Sequence, residues 1–344
     1  MVKETVLQAV TADDDENNVN LRPKTLSEVI GQRDVIERLR IAISAAQKRG
    51  EPLGHILLDG PPGLGKTTLA TCIPAEMGSD LQLTSGPLLK KPSDLVPYLT
   101  NAGQNSTLFI DEIHRLAKPA EEYLYTAMED FRLDILIGEG IGARTVNMPL
   151  KRFTLIGATT RAGLLSGPLR DRFQIREHVD FYELNELTHI VRRSAGKLSV
   201  EIDEVAAELI ASRSRGTPRV ANNRLRWVRD YASTKADGRI SVEVAKAALK
   251  MYGIDRAGLG PMDRKYLKTL LDVFDGGPAG IEAIGHTMNI SCDTLEDDVE
   301  PFLLRVGWVV RSPRGRVLTD RAYQHLGVAH ESSGEHTSHQ SKLF

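Results

Sequence analysis

The sequence predicts an α/β fold. A parallel sheet with helices on both faces is followed by a small helical domain and a C-terminal winged helix-turn-helix. Three observations carry this. Short apolar segments recur in the first half: Ile56-Leu57-Leu58, Thr107-Leu108-Phe109-Ile110 and Phe153-Thr154-Leu155-Ile156. Strands that are apolar throughout, alternating with helices, belong in a parallel sheet buried on both sides. From about Glu183 four helical patterns follow one another with no strand between them. Beyond Met262, three helical patterns lead into two short β-like segments, the layout of a winged helix.

The elements follow in order. Residues 1–20 are polar and acidic, with Asp13-Asp14-Asp15-Glu16, and are expected to fray. After Leu21-Arg22-Pro23-Lys24 comes a helix over 34–49, with Val35, Ile36, Leu39, Ile43 and Ala46 on one face and Gly50 as its stop. A strand at 55–59 then runs into Gly60-Pro61-Pro62-Gly63-Leu64-Gly65-Lys66-Thr67 and a helix from Thr68. Strands are expected near 81–83, 107–110 and 153–157, with a helix over 121–128. Residues 132–138 and 143–148 alternate like a hairpin around Gly138, Gly140 and Gly142. The helical domain holds helices over 185–197, 203–214, 218–233 and 241–251. After a linker at 253–261 come helices over 262–274, 281–288 and 294–306, then a hairpin closed by Arg316-Val317-Leu318-Thr319. The expected divisions are 1–20, 21–182, 183–253, 256–329 and a disordered tail, 330–344.

Bulk properties narrow the classes. A net charge of −2 over 344 residues gives no global attraction to nucleic acid, so any such contact must be local. Cys72 and Cys292 stand far apart in no metal spacing and read as reduced thiols. His330, His336 and His339 read as part of a solvated tail rather than a metal site. No apolar run is long enough to span a bilayer, and the N-terminus shows no charged-then-apolar leader. A cytoplasmic location is expected.

The chemistry begins at Gly60–Thr67, which fits G-x-x-x-x-G-K-[ST] between a strand and a helix. Its glycines let backbone N–H groups close on phosphate oxygens, helped by the helix N-terminus. Lys66 is expected on the β- and γ-phosphates and Thr67 on Mg²⁺. Asp111-Glu112 ends a buried strand, so Asp111 would hold Mg²⁺ through water and Glu112 would polarise the attacking water. Thr159 or Thr160, at the next strand end, would touch the γ-phosphate or that water, and the reading favours Thr159. In Arg170-Asp171-Arg172, Arg172 would stabilise the charge of phosphoryl transfer from a neighbouring subunit. Arg219 follows Pro218 on the first turn of a helix and would report on the γ-phosphate.

Arg311, Arg314 and Arg316 crowd a hairpin tip and are expected to meet DNA phosphates. The preceding helix is acidic. Asp293 and Glu296 read as a capping box, and Asp297, Asp298 and Glu300 add charge that would repel a phosphate-lined groove.

These motifs, with Phe109–Leu116 (FIDEIHRL), Gly157–Leu165 (GATTRAGLL), Arg215–Val220 (RGTPRV) and Met262–Lys265, make the chain resemble the AAA+ ATPases over about residues 20–328. Within them it resembles the RuvB family of bacterial Holliday-junction motors. The resemblance implies a hexameric ring on duplex DNA, loaded at four-way junctions by a RuvA-type protein and followed by a RuvC-type resolvase. It implies ATP and Mg²⁺ as cofactors. It places Leu21, Arg22, Gly63, Lys66, Thr67, Thr68, Glu129, Asp130, Phe131, Tyr182 and Arg219 on the nucleotide, and Arg172 as the trans finger. The 132–148 hairpin, apolar at Leu133, Ile135 and Ile137, matches the RuvA-docking surface, and Arg311 and Arg316 match DNA contacts.

There are departures from the family pattern. Cys292 stands where an arginine is usual and Gln174 where a glycine is. Asn223-Arg224 and Trp227 alter a lid helix, and Asp59 replaces an aromatic residue. A clamp-loader-type ATP switch and a nucleotide-gated DNA-binding regulator are the rival readings. The intact Glu112 argues against the second.

Overall fold

The computed structural model describes residues 21–137 and 144–328. Two compact units divide at Leu249/Lys250. The N-terminus, the expected hairpin glycines and the His-containing tail lie outside the described residues.

In the first unit, α1 (Arg33–Arg49) precedes β1 (Ile56–Asp59), the glycine loop and α2 (Lys66–Met77). Then come β2 (Leu81–Ser85), α3 (Pro92–Thr100), β3 (Ser106–Asp111), α4 (Lys118–Glu129), β4 (Arg132–Ile137) and β5 (Arg144–Pro149). After them come β6 (Phe153–Thr159), α5 (Gly167–Asp171) and β7 (Ile175–His178). The main sheet runs β2-β3-β6-β1-β7, all parallel. Every crossover therefore brings a strand's carboxyl end to one edge. Asp59 pairs in register with Thr159 there, and Asp111 ends the strand on the far side of β6. A ligand crevice belongs at that edge.

The central strands are buried along nearly their whole length, as their apolar composition requires. Leu57, Leu108, Ile110 and Leu155 pack with Leu124 and Ala127 of α4 and with Leu169 and Phe173. His55 is a core histidine. Its Nδ1 accepts from the Leu155 N–H at 2.9 Å and its Nε2 donates to the Met128 carbonyl at 3.1 Å, joining β1, β6 and α4.

The edge strand β7 and the helix α3 are absent from the sequence reading. β7 reads Ile-Arg-Glu-His, and its Glu177 is buried because Arg38 of α1 holds it through bonds of 2.9 and 2.5 Å. In α3, two prolines interrupt the helical pattern, and only Leu95 and Leu99 are buried.

The small hairpin β4–β5 departs from expectation. Leu133 is wholly buried in the core and Ile135 is partly buried against it. Among the hairpin side chains described, the exposed apolar ones are Val146 and Met148 of β5. The side chain of Ile137 lies outside the described residues.

The lid follows as α6 (Leu184–Lys197), α7 (Glu204–Ser212), α8 (Pro218–Lys235) and α9 (Val242–Met251). A single parallel bridge, Ile202 to Ile240, is its one β feature among the described residues.

The second unit contains α10 (Pro261–Phe274), α11 (Ile281–Met288), α12 (Cys292–Thr294), a π-turn over Leu295–Val299, and α13 (Glu300–Arg305). The hairpin β8 (Val309–Ser312) and β9 (Gly315–Leu318) leads to α14 (Asp320–Leu326), a closing helix missing from the sequence reading. The expected helix over 294–306 is thus broken by a π-turn. The capping box is not formed by Asp293: Ser291 is the cap, and its Oγ accepts from the Thr294 N–H at 3.3 Å. The core gathers Tyr266, Leu267, Leu270, Ile284, Leu295, Leu303 and Leu318.

Candidate active site

The loop after β1 wraps the head of its own lysine. Lys66 Nζ donates to the Gly60 and Pro61 carbonyls at 2.6 and 2.8 Å. Burial pushes its ammonium down to about 8, partly offset by Glu112 and Asp111. Such a lysine is poorly solvated and gains from an incoming anion. Gly63 has φ +75, and a Cβ there would lie 2.8 Å from Thr217 Cγ2 and 3.0 Å from Arg219 Cβ. Only a residue without a side chain lets the lid approach the loop so closely.

The lid contacts are specific. The Arg219 N–H donates to the Gly63 carbonyl at 3.3 Å, and Tyr182 Oη donates to the Leu64 carbonyl at 3.2 Å. From α6, Arg193 donates to the Glu28 carbonyl, and Lys197 to the Arg22 carbonyl at 3.3 Å. This fixes the segment that presents Leu21 and Arg22.

At the acidic strand end, Thr67 Oγ1 donates to Asp111 Oδ2 at 3.3 Å, and Asp111 Oδ1 accepts from the Glu112 N–H at 2.9 Å. Glu112 has φ 47, a left-handed backbone that is uncommon outside glycine and clusters at functional sites. Gly86 makes room for that turn, because a Cβ there would lie 2.3 Å from the Glu112 carbonyl. Glu112 Oε2 accepts from Thr160 Oγ1 at 3.2 Å, with His114 Nδ1 also 3.2 Å away.

These groups line one cleft of about 970 Å³, part of it open to solvent. Of the expected residues, the cleft brings together Leu21, Arg22, Gly63, Lys66, Thr67, Thr68, Asp111, Glu112, Tyr182 and Arg219. Its apolar wall is Pro23, Val29, Ile30 and Ile190.

Thr159 does not line this cleft. It is fully buried, and its hydroxyl meets His114 Nδ1 at 2.9 Å and the Arg161 N–H at 3.0 Å. Thr160 lines the cleft instead. Strand alternation sends adjacent side chains to opposite faces, and a consecutive Thr-Thr gives no sign of which faces the crevice.

Arg172, Glu129, Asp130 and Phe131 do not line this cleft. Arg172 donates to Glu129 Oε2 at 2.9 Å and to the Pro168 carbonyl at 2.8 Å, and its guanidinium lies 4.4 Å over the Tyr125 ring. Phe131 packs edge-on to Phe153 at 5.9 Å. The sequence reading also missed the cleft residues Arg193 and Asn222, which stand inside helical patterns that core packing alone explains.

In the second unit the wing arginines serve a carboxylate of their own domain. Glu300 is fully buried. Its Oε1 accepts from Tyr266 Oη at 2.7 Å and Arg316 Nε at 2.8 Å, and its Oε2 accepts from Arg311 Nε at 2.9 Å. Arg316 also reaches Glu296 at 2.9 Å. Two acids of the helix read as repelling DNA are therefore neutralised internally, and Arg316 is an internal cation. Arg311 is half-exposed, and Arg314 is exposed at the turn.

The replaced positions are built in. Gln174 Oε1 accepts from the His55 N–H at 2.6 Å, Trp227 Nε1 donates to the Ala248 carbonyl at 2.8 Å, and Asp59 pairs with His178 at 2.7 Å. Arg224 is buried.

Comparison with known proteins decides the family. The model for the P-loop domain of the Holliday junction DNA helicase RuvB matches residues 21–179. The RuvB AAA lid model matches 182–255, and the RuvB C-terminal winged helix model matches 256–327. The chain belongs to the RuvB family. A curated RuvB of Rhodopirellula baltica, named a Holliday junction branch migration complex subunit, is 62% identical over 309 residues, which is 90% of this chain and 84% of that protein. The structure of Thermotoga maritima RuvB, described as a Holliday junction branch migration motor, superposes with a TM-score of 0.83 at 46% identity. That match covers 91% of this chain and 100% of the other. A T. maritima RuvB variant with one alanine replaced gives a TM-score of 0.84 at 47% identity, covering 90% and 99%. The cleft described above thus belongs to a RuvB-type P-loop and lid.

Proposed function

We propose that this chain is an ATP-driven motor that moves Holliday junctions. The observation that carries this is the cleft itself. One RuvB-type unit gathers a phosphate loop, an acidic strand end and a lid arginine, and a RuvB-type winged helix follows in the same chain.

ATP fits the cleft by chemistry. Pro23, Val29, Ile30 and Ile190 offer an apolar wall for a flat base, and Tyr182 closes it from the lid side. Lys66 leaves the loop carbonyls for the β- and γ-phosphates, and Arg219 senses the γ-phosphate from the first turn of α8.

Mg²⁺ fits the donor set. Thr67 and Asp111 present hard oxygens within 3.3 Å of each other. Among the described residues no cluster of three or more His, Cys, Asp or Glu could hold a metal alone. That suits a cation held mainly by water and substrate phosphates. When bound, Mg²⁺ neutralises charge on the transferred phosphoryl group. Glu112 orients and polarises the attacking water, and Thr160 holds the carboxylate that does so.

Arg172 acts in trans in a homo-hexamer, beside Glu129, Asp130 and Phe131 on the same surface. A RuvA-type partner docks on the hairpin, chiefly through the exposed Val146 and Met148 of β5. Arg314 and the outer face of Arg311 meet DNA phosphates, and a RuvC-type resolvase follows. No helix among the described residues is long and apolar enough to cross a membrane. Action on DNA in the cytoplasm is part of this reading. The winged-helix match to RuvB does not favour a clamp loader.

The test is movement of a synthetic four-way junction with ATP, with and without a RuvA-type protein. ATP-dependent strand exchange, enhanced by that partner, is expected. Sequence-specific duplex binding without movement, or stimulation by a sliding clamp instead, would overturn the reading.

A further inference from the structure

We infer that His114 is a positioning residue for Glu112. It uses its Nδ1–H to lock the carboxylate in the orientation that polarises water. This rests on Glu112 having that role.

His114 lies on the single turn Ile113–Arg115 that follows the acidic strand end, and its side chain is buried, 7% exposed. Its Nδ1 lies 3.2 Å from Glu112 Oε2 and 2.9 Å from Thr159 Oγ1. The two contacts fix the ring's chemistry. An ionised carboxylate oxygen can only accept, so a bare Nδ1 would set two lone pairs against each other. Nδ1 therefore carries a hydrogen, shared between Oε2 and Thr159 Oγ1. Thr159 can accept it, because a hydroxyl has two acceptor sites and the Arg161 N–H uses only one, at 3.0 Å.

Oε2 then accepts from the Thr160 hydroxyl at 3.2 Å and faces this N–H at 3.2 Å. Two donors from different elements stop the carboxylate rotating about its last bond, and so set the direction of Oε1. The ring also ties the end of β6 to the turn that follows β3.

A histidine that only fills space predicts different behaviour from one that supplies this hydrogen bond. The experiment uses the full chain with duplex DNA and ATP. His114→Leu keeps the volume but removes the donor. His114→Asn brings an amide N–H close to the position of Nδ1, whereas His114→Gln brings it to that of Nε2. Glu112→Gln runs in parallel.

With His114→Leu, ATP-analogue affinity and Tm stay near wild type while kcat falls about 100-fold, the scale of loss expected from a misplaced reacting group. His114→Asn recovers to within about tenfold of wild type and outperforms His114→Gln. If His114→Leu does not fold, the Asn and Gln pair carries the same comparison. Near-normal turnover in His114→Leu, or equal impairment in Asn and Gln, with Glu112→Gln inactive, overturns the inference alone. Near-normal turnover in Glu112→Gln overturns the role of Glu112 on which it rests.

Discussion

Lys66 shows how one buried charge can set both affinity and pH response. Burial leaves its ammonium titrating at about 8 in the nucleotide-free protein. A bound triphosphate favours the charged form and raises that value, so binding above pH 8 must take up a proton. Affinity for a non-hydrolysable ATP analogue should be about tenfold weaker at pH 9 than at pH 7, as expected when about nine-tenths of Lys66 has lost its proton. Titration calorimetry in two buffers of different ionisation enthalpy measures both the affinity and the proton uptake. A flat profile would contradict the desolvated lysine. Folding responds in the opposite sense. The unfolded lysine holds its proton up to about 10.5, so nucleotide-free stability rises as pH climbs from 8 toward that value.

At the scale of elements, the wing shows why charge patterns mislead. Arg311 and Arg316 read in the sequence as free phosphate contacts, and Glu300 as part of a repelling helix. They form one cluster around the buried Glu300 carboxylate. Burial pushes the Glu300 carboxyl up, but hydrogen bonds from Arg316, Tyr266 and Arg311 outweigh it and leave the group below the ordinary carboxylate range. Its stabilising contribution is therefore present at neutral pH and lost as pH falls below about 4.5. Glu300→Ala leaves Arg316 with Glu296 as its one acidic partner here and removes the acceptor of Tyr266, so it should destabilise the winged-helix unit by about 3 kcal/mol, visible in denaturant unfolding. Arg311→Ala, at a half-exposed side chain, should cost about 1 kcal/mol or less. Equal costs for the two would contradict the cluster. DNA affinity is thus better tested at Arg314 and Arg311, since Arg316 variants also loosen the domain.

The elements that were legible follow one rule. β1, β3 and β6 are buried on both faces, and a glycine loop, an acidic pair or a Thr-Thr pair ends each of them. β7 and the Arg38–Glu177 bond were not legible, because a strand whose one buried side chain is a carboxylate held by an exposed arginine carries no apolar signal. Thr160 could not be separated from Thr159, nor Ser291 from Asp293 as the cap. Those choices depend on backbone direction, which residue type does not encode.

At the scale of the whole molecule, the cleft holds Lys66 and Arg219 from one chain, while Arg172 stands outside it. Arg172 is already anchored there. Glu129, the Pro168 carbonyl and the Tyr125 ring hold its guanidinium, so little side-chain freedom remains to be lost when it meets a phosphate. The proposed ring accounts for this separation, because each cleft would be completed by the next subunit's Arg172. Arg172→Ala and Lys66→Ala should each abolish hydrolysis in a pure ring. In a mixed ring, an Arg172→Ala subunit still carries a sound cleft, and an adjacent Lys66→Ala subunit still carries a sound arginine. That one interface is complete. Co-assembling the two inactive variants should therefore restore measurable ATPase activity, read as phosphate release on duplex DNA. A cis arginine allows no such rescue, since every subunit would lack one of the two groups. Mixtures that stay as inactive as their components, with subunit exchange demonstrated by labelled chains, would sink the trans assignment.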